Sequence, residues 1–418
     1  MYIGDANVIR CVIFVLCFGY VQNRRKIKVN SATDISDRNS DIYLNSLQLI
    51  SKYGYKPEQH TVITKDGYLV NSYRIPNRGP PVLLVHGIGD SSDSWLVLGP
   101  SKSIAFQLSD LEYDVWIFNA RGNKYSKGHV KNLREKEYWD FSYEEMGTQD
   151  LPAVIDYILK VTSQPTLSYV GFSQGTAIFF VMCSMKPEYN AKIEHAILLA
   201  PIAWITNIQY PFIDILAQNL DALATFFDQI GVYELYPNNV LSNLYHAKVC
   251  REDVPENILC KLEYYISYGL RNISNLYPER LPVVASHIPA GVSTKTFVHY
   301  FQGYISKRFQ RFDYGPERNQ ELYSSLQPPS YDLSKITAPL SLFCSESDWF
   351  STPKDVDKLV RGLPNVVRYQ MFNKSLDFTH LEFVYGSRVN EFVNNDAIGI
   401  IGEERFSRIP ISGIRRVK

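Results

Sequence analysis

Residues 167–182 constrain the fold more tightly than any other part of the chain. The run 167–170 (LSYV) leads into Gly171-Phe172-Ser173-Gln174-Gly175, and small and apolar residues follow at helix-like spacing from Thr176 to Met182. A strand that turns sharply into a helix through Gly-x-Ser-x-Gly is a nucleophile elbow. The turn forces strained backbone angles on its serine, and glycines flank it because a Cβ at either place would strike the adjoining strand and helix. Ser173 is then presented at the carboxyl edge of a sheet, beside the positive end of a helix.

The rest of the chain supplies such a sheet. Apolar runs at 82–85 (VLLV), 113–118 (YDVWIF), 196–200 (AILLA), 340–344 (LSLFC) and 366–372 (VVRYQMF) read as further strands. Helical patterns lie between them, the clearest at 150–159 with Pro152 near its first turn. Apolar strands alternating with amphipathic helices predict an α/β fold with a mostly parallel sheet covered on both faces. Ligands of such sheets bind beyond the carboxyl ends of the strands, where the glycine-marked turns after Val85, Phe118 and Val170 fall. Between about 201 and 339 this rhythm stops. Phe212, Leu216, Leu220, Leu223, Phe227 and Ile230 recur there every three or four residues, as on one helix face. The expected organisation is therefore a core in two parts, 40–200 and 336–402, with a helical cap or lid, 201–335, inserted between them. A chain of 418 residues, 45% apolar, can bury both.

Lys plus Arg and Asp plus Glu balance at 43 each, so no overall field draws the chain to nucleic acid. Residues 11–21 (CVIFVLCFGYV) form an uncharged apolar run between Arg10 and a basic stretch. About eleven residues suits a signal peptide and falls short of the about 20 needed to cross a bilayer. Residues 1–22 are expected to be that signal and 403–418 a C-terminal tail. The mature chain would then follow the secretory route, secreted or lysosomal, with no integral membrane segment. Asn272-Ile273-Ser274 and Asn373-Lys374-Ser375 are acceptor sequons for glycosylation on that route. Four cysteines remain after the signal. Cys183 and Cys344 lie in apolar stretches and read as buried small hydrophobes. Cys250 and Cys260 stand close together in a polar, loop-rich stretch, as a local disulfide would.

A serine hydroxyl is a weak nucleophile at neutral pH and needs an adjacent base. Behind an elbow of this kind the partners follow in the order serine, acid, histidine. Of eight histidines only His380 lies beyond the last predicted strand, in the loop where the base belongs. The acid should end the strand before it. Asp348 is preferred, with Glu346 as the alternative, while Asp355 and Asp357 fall on the next helix. A tetrahedral intermediate also needs backbone N–H donors, for which Gln174, after the nucleophile, and Ile88, in the loop after 82–85, are the candidates. His86 reads as a structural member of that loop. The chain lacks CxxC, HExxH and acidic calcium-loop patterns, so neither metal nor cofactor is implied.

These motifs, in this order, resemble the acid lipase family, the gastric and lysosomal lipases and their insect relatives. The resemblance is carried by 50–76, 86–100 (HGIGDSSDSWLVLGP), 113–125, 139–159, the elbow, 287–291 (HIPAG), Asp348-Trp349 and His380-Leu381. It implies an α/β-hydrolase core, a helical cap with a lid, and hydrolysis of neutral lipid esters, triacylglycerols or steryl esters, at a lipid–water interface. The family's nucleophile, acid, base and oxyanion positions match Ser173, Asp348, His380, Ile88 and Gln174, and its cap disulfide matches Cys250 and Cys260. The family's elbow usually has histidine before the nucleophile, where this chain has Phe172. Two competing readings use the same features. A catalytically silent lipid-binding protein would show a broken triad, and a small-ester hydrolase or peptidase would not need the long apolar insert.

Overall fold

The computed structural model describes residues 37–407, apart from 252 and 256. The expected signal segment, 1–22, and most of the expected tail, 403–418, lie outside the described residues. Eight strands run through one sheet: β1 (Glu58–Ile63), β2 (Tyr68–Ile75), β3 (Pro81–Val85), β4 (Asp114–Phe118), β5 (Leu167–Phe172), β6 (Ile193–Leu199), β7 (Leu340–Ser345) and β8 (Val366–Phe372). Their order is β1-β2-β4-β3-β5-β6-β7-β8, and a two-residue strand, Gly128–His129, pairs with β2 as a ninth member. From β4 to β8 all pairing is parallel, while β1–β2 and β2–β4 are antiparallel.

The apolar runs from 82–85 to 340–344 become central strands because both of their faces are covered, whereas β8 is an edge strand with only Phe372 buried. Val82, Leu84, Val115, Ile117, Val170, Ile197 and Leu199 join one core cluster. Their neighbours Leu83, Val85, Trp116, Phe118, Tyr169, Ala196 and Leu198 join another on the opposite face, as the two-residue period of a strand dictates. The antiparallel β1–β2 hairpin is not foreshadowed by an apolar run. β1 buries only Val62, and β2 alternates buried with partly exposed residues, so neither reads as a central strand. The helix Leu151–Thr162 sits where 150–159 foretold, with Leu151, Val154, Ile155 and Ile158 turned inward. By contrast, the helix after the elbow, Gln174–Met185, is buried on all sides save its last residue.

Between β6 and β7 the chain is mostly helical, with Ile213–Gln218, Leu220–Gln229, Val240–Val249, Asn257–Tyr268, Leu281–His287, Thr294–Ser306 and Pro316–Tyr323. The periodic stripe from Phe212 to Ile230 is not one helix. It breaks at Asn219, which caps both halves. Leu216, Leu223 and Phe227 pack with Val232, Leu235 and Val292 in a small core of their own, whereas Ile230 is exposed. Periodicity marks the inward face but cannot see a break that keeps the phase. Cys250 and Cys260 form a disulfide between two of these helices, and Cys183 and Cys344 are free and buried. The last turn of Leu281–His287 is tied to the core. His287 Nδ1 lies 2.6 Å from Asp93 Oδ2, and its Nε2 lies 3.0 Å from the Asp41 carbonyl oxygen. Burial alone would push the Asp93 carboxyl up, but Lys124 and His287 hold it well below the usual carboxylate range. Among the described residues, no helix is long and apolar enough to cross a membrane.

Candidate active site

Ser173 stands between β5 and the elbow helix at φ 51°, ψ −116°. No β-carbon residue adopts that angle without support, and the support is local. The Ser173 N–H donates to the Leu199 carbonyl at 3.0 Å, and its own carbonyl accepts the Thr176 N–H at 2.8 Å and hydroxyl at 2.6 Å. The Tyr169 hydroxyl donates to the Gly175 carbonyl at 2.6 Å, closing the turn from below. A Cβ on Gly175 would lie 2.5 Å from the Val85 carbonyl oxygen, and one on Gly171 2.7 Å from the Tyr169 ring. Both glycines are therefore required by contact with backbone or ring.

β7 and β8 deliver the other two groups. After β7 the chain turns so that Asp348, fully buried, accepts the Phe350 and Ser351 N–H groups on Oδ1 at 2.8 and 3.0 Å. Its Oδ2 lies 2.7 Å from His380 Nδ1, and His380 Nε2 lies 2.8 Å from Ser173 Oγ. This pattern gives Nδ1 the proton and leaves Nε2 to accept the serine hydroxyl. The His380 loop is held from both sides, by the Ser345 hydroxyl on the Phe378 carbonyl and by Glu382, which accepts the Thr379 N–H at 2.6 Å and hydroxyl at 2.8 Å. Burial pushes the Glu382 carboxyl up to about 7. The rings of Phe172 and Phe350 each lie 5.1 Å from the imidazole. The residue that departs from the family's elbow is thus a wall of the His380 pocket.

The structure brings Ser173, His380 and Asp348 together and leaves the alternatives outside. Glu346 is exposed and accepts the Lys374 N–H at 2.8 Å. Asp355 accepts the backbone and side-chain N–H groups of Asn207, and Asp357 faces Tyr369. The loop with Ile88 lies against Ser173, since a Cβ on Gly87 would come 3.3 Å from Ser173 Cβ. Gln174 opens the elbow helix, where an N–H has no carbonyl four residues back to bond. His86 accepts the Ala120 N–H on Nε2 at 3.1 Å and lies 2.8 Å from the Gly87 carbonyl through Nδ1, and burial pushes it down to about 4. A neutral imidazole with both nitrogens engaged stiffens the loop and cannot serve as a second base. Asn272 and Asn373 are exposed, each with its side-chain oxygen on the N–H two residues on. Sequence reasoning missed Phe350 and Glu382, which stand two residues after Asp348 and His380, and no motif or periodicity marks them.

Residues 80–384 match the model of the alpha/beta hydrolase fold, and residues 47–99 match a partial alpha/beta-hydrolase lipase region. The chain belongs to the acid lipase family of α/β-hydrolases. It is 37% identical over 370 residues to Lipase 1 of Drosophila melanogaster, covering 87% of this chain and 81% of that protein. To Lipase 3 of the same species it is 36% identical over 363 residues, covering 82% and 89%. To the gastric triacylglycerol lipase of Bos taurus it is 33% identical over 382 residues, covering 88% and 94%.

Proposed function

We propose that this acid lipase cleaves carboxylic esters of neutral lipids, triacylglycerols or steryl esters, through an acyl-enzyme on Ser173. One observation carries the reading: the continuous hydrogen-bond relay from Ser173 Oγ to His380 Nε2 at 2.8 Å and from His380 Nδ1 to Asp348 Oδ2 at 2.7 Å. Ser173 Oγ attacks the ester carbonyl as His380 Nε2 takes its proton. The negative oxygen that develops is met by the N–H groups of Ile88 and Gln174. His380 returns the proton to the leaving alcohol, and a water activated the same way frees the acid. Asp348 holds the imidazole in one tautomer and offsets its charge without taking the proton. The helical segment 201–335 is assigned as the cap, its small apolar core packed against Ile88 on what would be the acyl-chain side of the site. Residues 1–22 are assigned as a signal and Asn272 and Asn373 as glycan acceptors, and with the Cys250–Cys260 disulfide they fit the secretory route, with residence outside the cell or in the lysosome.

The test is hydrolysis of triolein, cholesteryl oleate and short p-nitrophenyl esters by the purified protein at acid and neutral pH. Ser173→Ala and His380→Ala should each remove essentially all activity while leaving the fold intact, since triad members act as a unit. Asp348→Asn should cost about 10⁴-fold in kcat by permitting the wrong tautomer. Wild-type-like turnover in the Ser173 or His380 variant would overturn the mechanism.

A further inference from the structure

The loop that carries Ile88 is an arch between two buried anchors. His86 at its start is fixed to the end of β4 through the Ala120 N–H. Asp90 at its end is also buried. Its Oδ1 accepts the Ser91 N–H at 2.7 Å, and its Oδ2 accepts the Tyr385 hydroxyl at 2.6 Å. Between the anchors Ile88 and Gly89 are partly exposed, and Gly89 has φ +64°. Tyr385, buried, closes the single helical turn Glu382–Tyr385, which begins two residues after His380. The first residue of that turn, Glu382, grips Thr379, immediately before His380. One turn of helix therefore holds the base loop through its first side chain and the oxyanion arch through its last. The two ends of the Tyr385–Asp90 bond are 295 residues apart in the chain.

We propose that Tyr385 is a positioning residue, setting the Ile88 N–H for the developing oxyanion through its hydrogen bond to Asp90. This rests on the ester-hydrolase reading of Ser173. The arch has a second tie, since the Ala290 N–H donates to the Gly89 carbonyl at 2.7 Å. Without the Tyr385 hydroxyl the arch keeps its place and loses its fine setting. Removing an oxyanion donor outright costs about 10²–10³-fold in kcat, so a donor left in place but poorly aimed should cost about tenfold.

Tyr385→Phe, which deletes one oxygen and keeps the ring, is made in the full chain beside Asp90→Asn and the double variant. Active sites are counted with a covalent phosphonate. kcat and KM on a soluble p-nitrophenyl ester are set beside the affinity for an alkyl boronic acid, which bonds to Ser173 Oγ and places a negative oxygen where the oxyanion forms. Tyr385→Phe should lower kcat per titrated site and boronate affinity together by about tenfold, with KM within about twofold of wild type. Asp90→Asn reverses the donor direction and should act the same way more weakly. The double variant should be no worse than Tyr385→Phe, because the two side chains form one contact. A part in stability alone would lower Tm and the titrated fraction only. Unchanged kcat per site and boronate affinity in both single variants would overturn the proposal, and Asp90→Asn decides alone if Tyr385→Phe does not fold. A wild-type protein that neither hydrolyses the ester nor binds the boronate would overturn the ester-hydrolase reading, and this proposal with it.

Discussion

At the scale of single residues, Gly175 and Ser173 respond to a methyl group in opposite ways. A Cβ on Gly175 meets the Val85 carbonyl oxygen at 2.5 Å and the His86 carbonyl oxygen at 3.0 Å, both backbone atoms of the strand and loop that carry Ile88. Gly175→Ala should therefore destabilise the protein by about 1–3 kcal/mol and remove most activity, since the elbow or the arch must shift. Ser173→Ala should melt at the wild-type temperature. A Gly175→Ala protein of unchanged Tm and turnover would mean that the elbow is not packed as described. Legibility at this scale followed scarcity. His380 was readable because only one histidine lies beyond β8, and Ser173 because the elbow demands glycines around it. Asp348 and Glu346 stood as alternatives because two carboxylates two residues apart look alike in sequence. They differ only in how the chain turns after β7, which leaves Glu346 in solvent and carries Asp348 inward.

At the scale of elements, the central strands β3 to β7 were legible because strands covered on both faces must be largely apolar, and the β1–β2 hairpin was not, because a half-exposed edge carries a weaker pattern. The turn Glu382–Tyr385 was invisible for another reason: its role lies in two hydrogen bonds with no periodic signature. That turn has a consequence for pH. The Glu382 carboxyl is raised from an ordinary 4.5 to about 7, chiefly by burial and against the hydrogen bonds from Thr379 and Asn275. A raised carboxyl means that the folded state holds its proton more tightly than the unfolded chain. Its contribution to stability is fully present below about 4.5 and is lost as pH rises through about 7. Glu382→Gln keeps an oxygen for the Thr379 N–H and cannot ionise. Relative to wild type it should gain stability between pH 5 and pH 8, on the order of 1–3 kcal/mol, read as a Tm difference that grows with pH. A Tm difference independent of pH would show that Glu382 does not titrate in this range.

At the scale of the whole molecule, the helix Asn257–Tyr268 is unlike its neighbours in what it shows to solvent. Cys260 and Tyr264 face inward, while Ile258, Leu259, Leu262 and Tyr265 are 65%, 46%, 51% and 42% exposed. Large apolar side chains gathered on one exposed face mark a surface that meets something apolar. The face reaches the segment that walls the His380 pocket. The Tyr265 ring lies 5.4 Å from that of Trp349, which follows Asp348, and the next residue, Phe350, packs on His380. A lipid surface seated on this face would lie beside the segment that carries Asp348 and walls His380. Seating a half-exposed aliphatic side chain in lipid contributes about 1 kcal/mol or somewhat more, which is roughly tenfold in partitioning. Ile258→Asp and Leu262→Asp should thus each lower adsorption to a triolein emulsion, and hydrolysis of that emulsion, by about tenfold or more. A soluble short ester never needs the surface, so its turnover should stay at the wild-type value. Adsorption is read by centrifuging the emulsion and assaying the protein left in the aqueous phase. Equal losses on emulsion and soluble ester would mean that the helix shapes the catalytic pocket, and unchanged adsorption would place the lipid-facing surface elsewhere on the molecule.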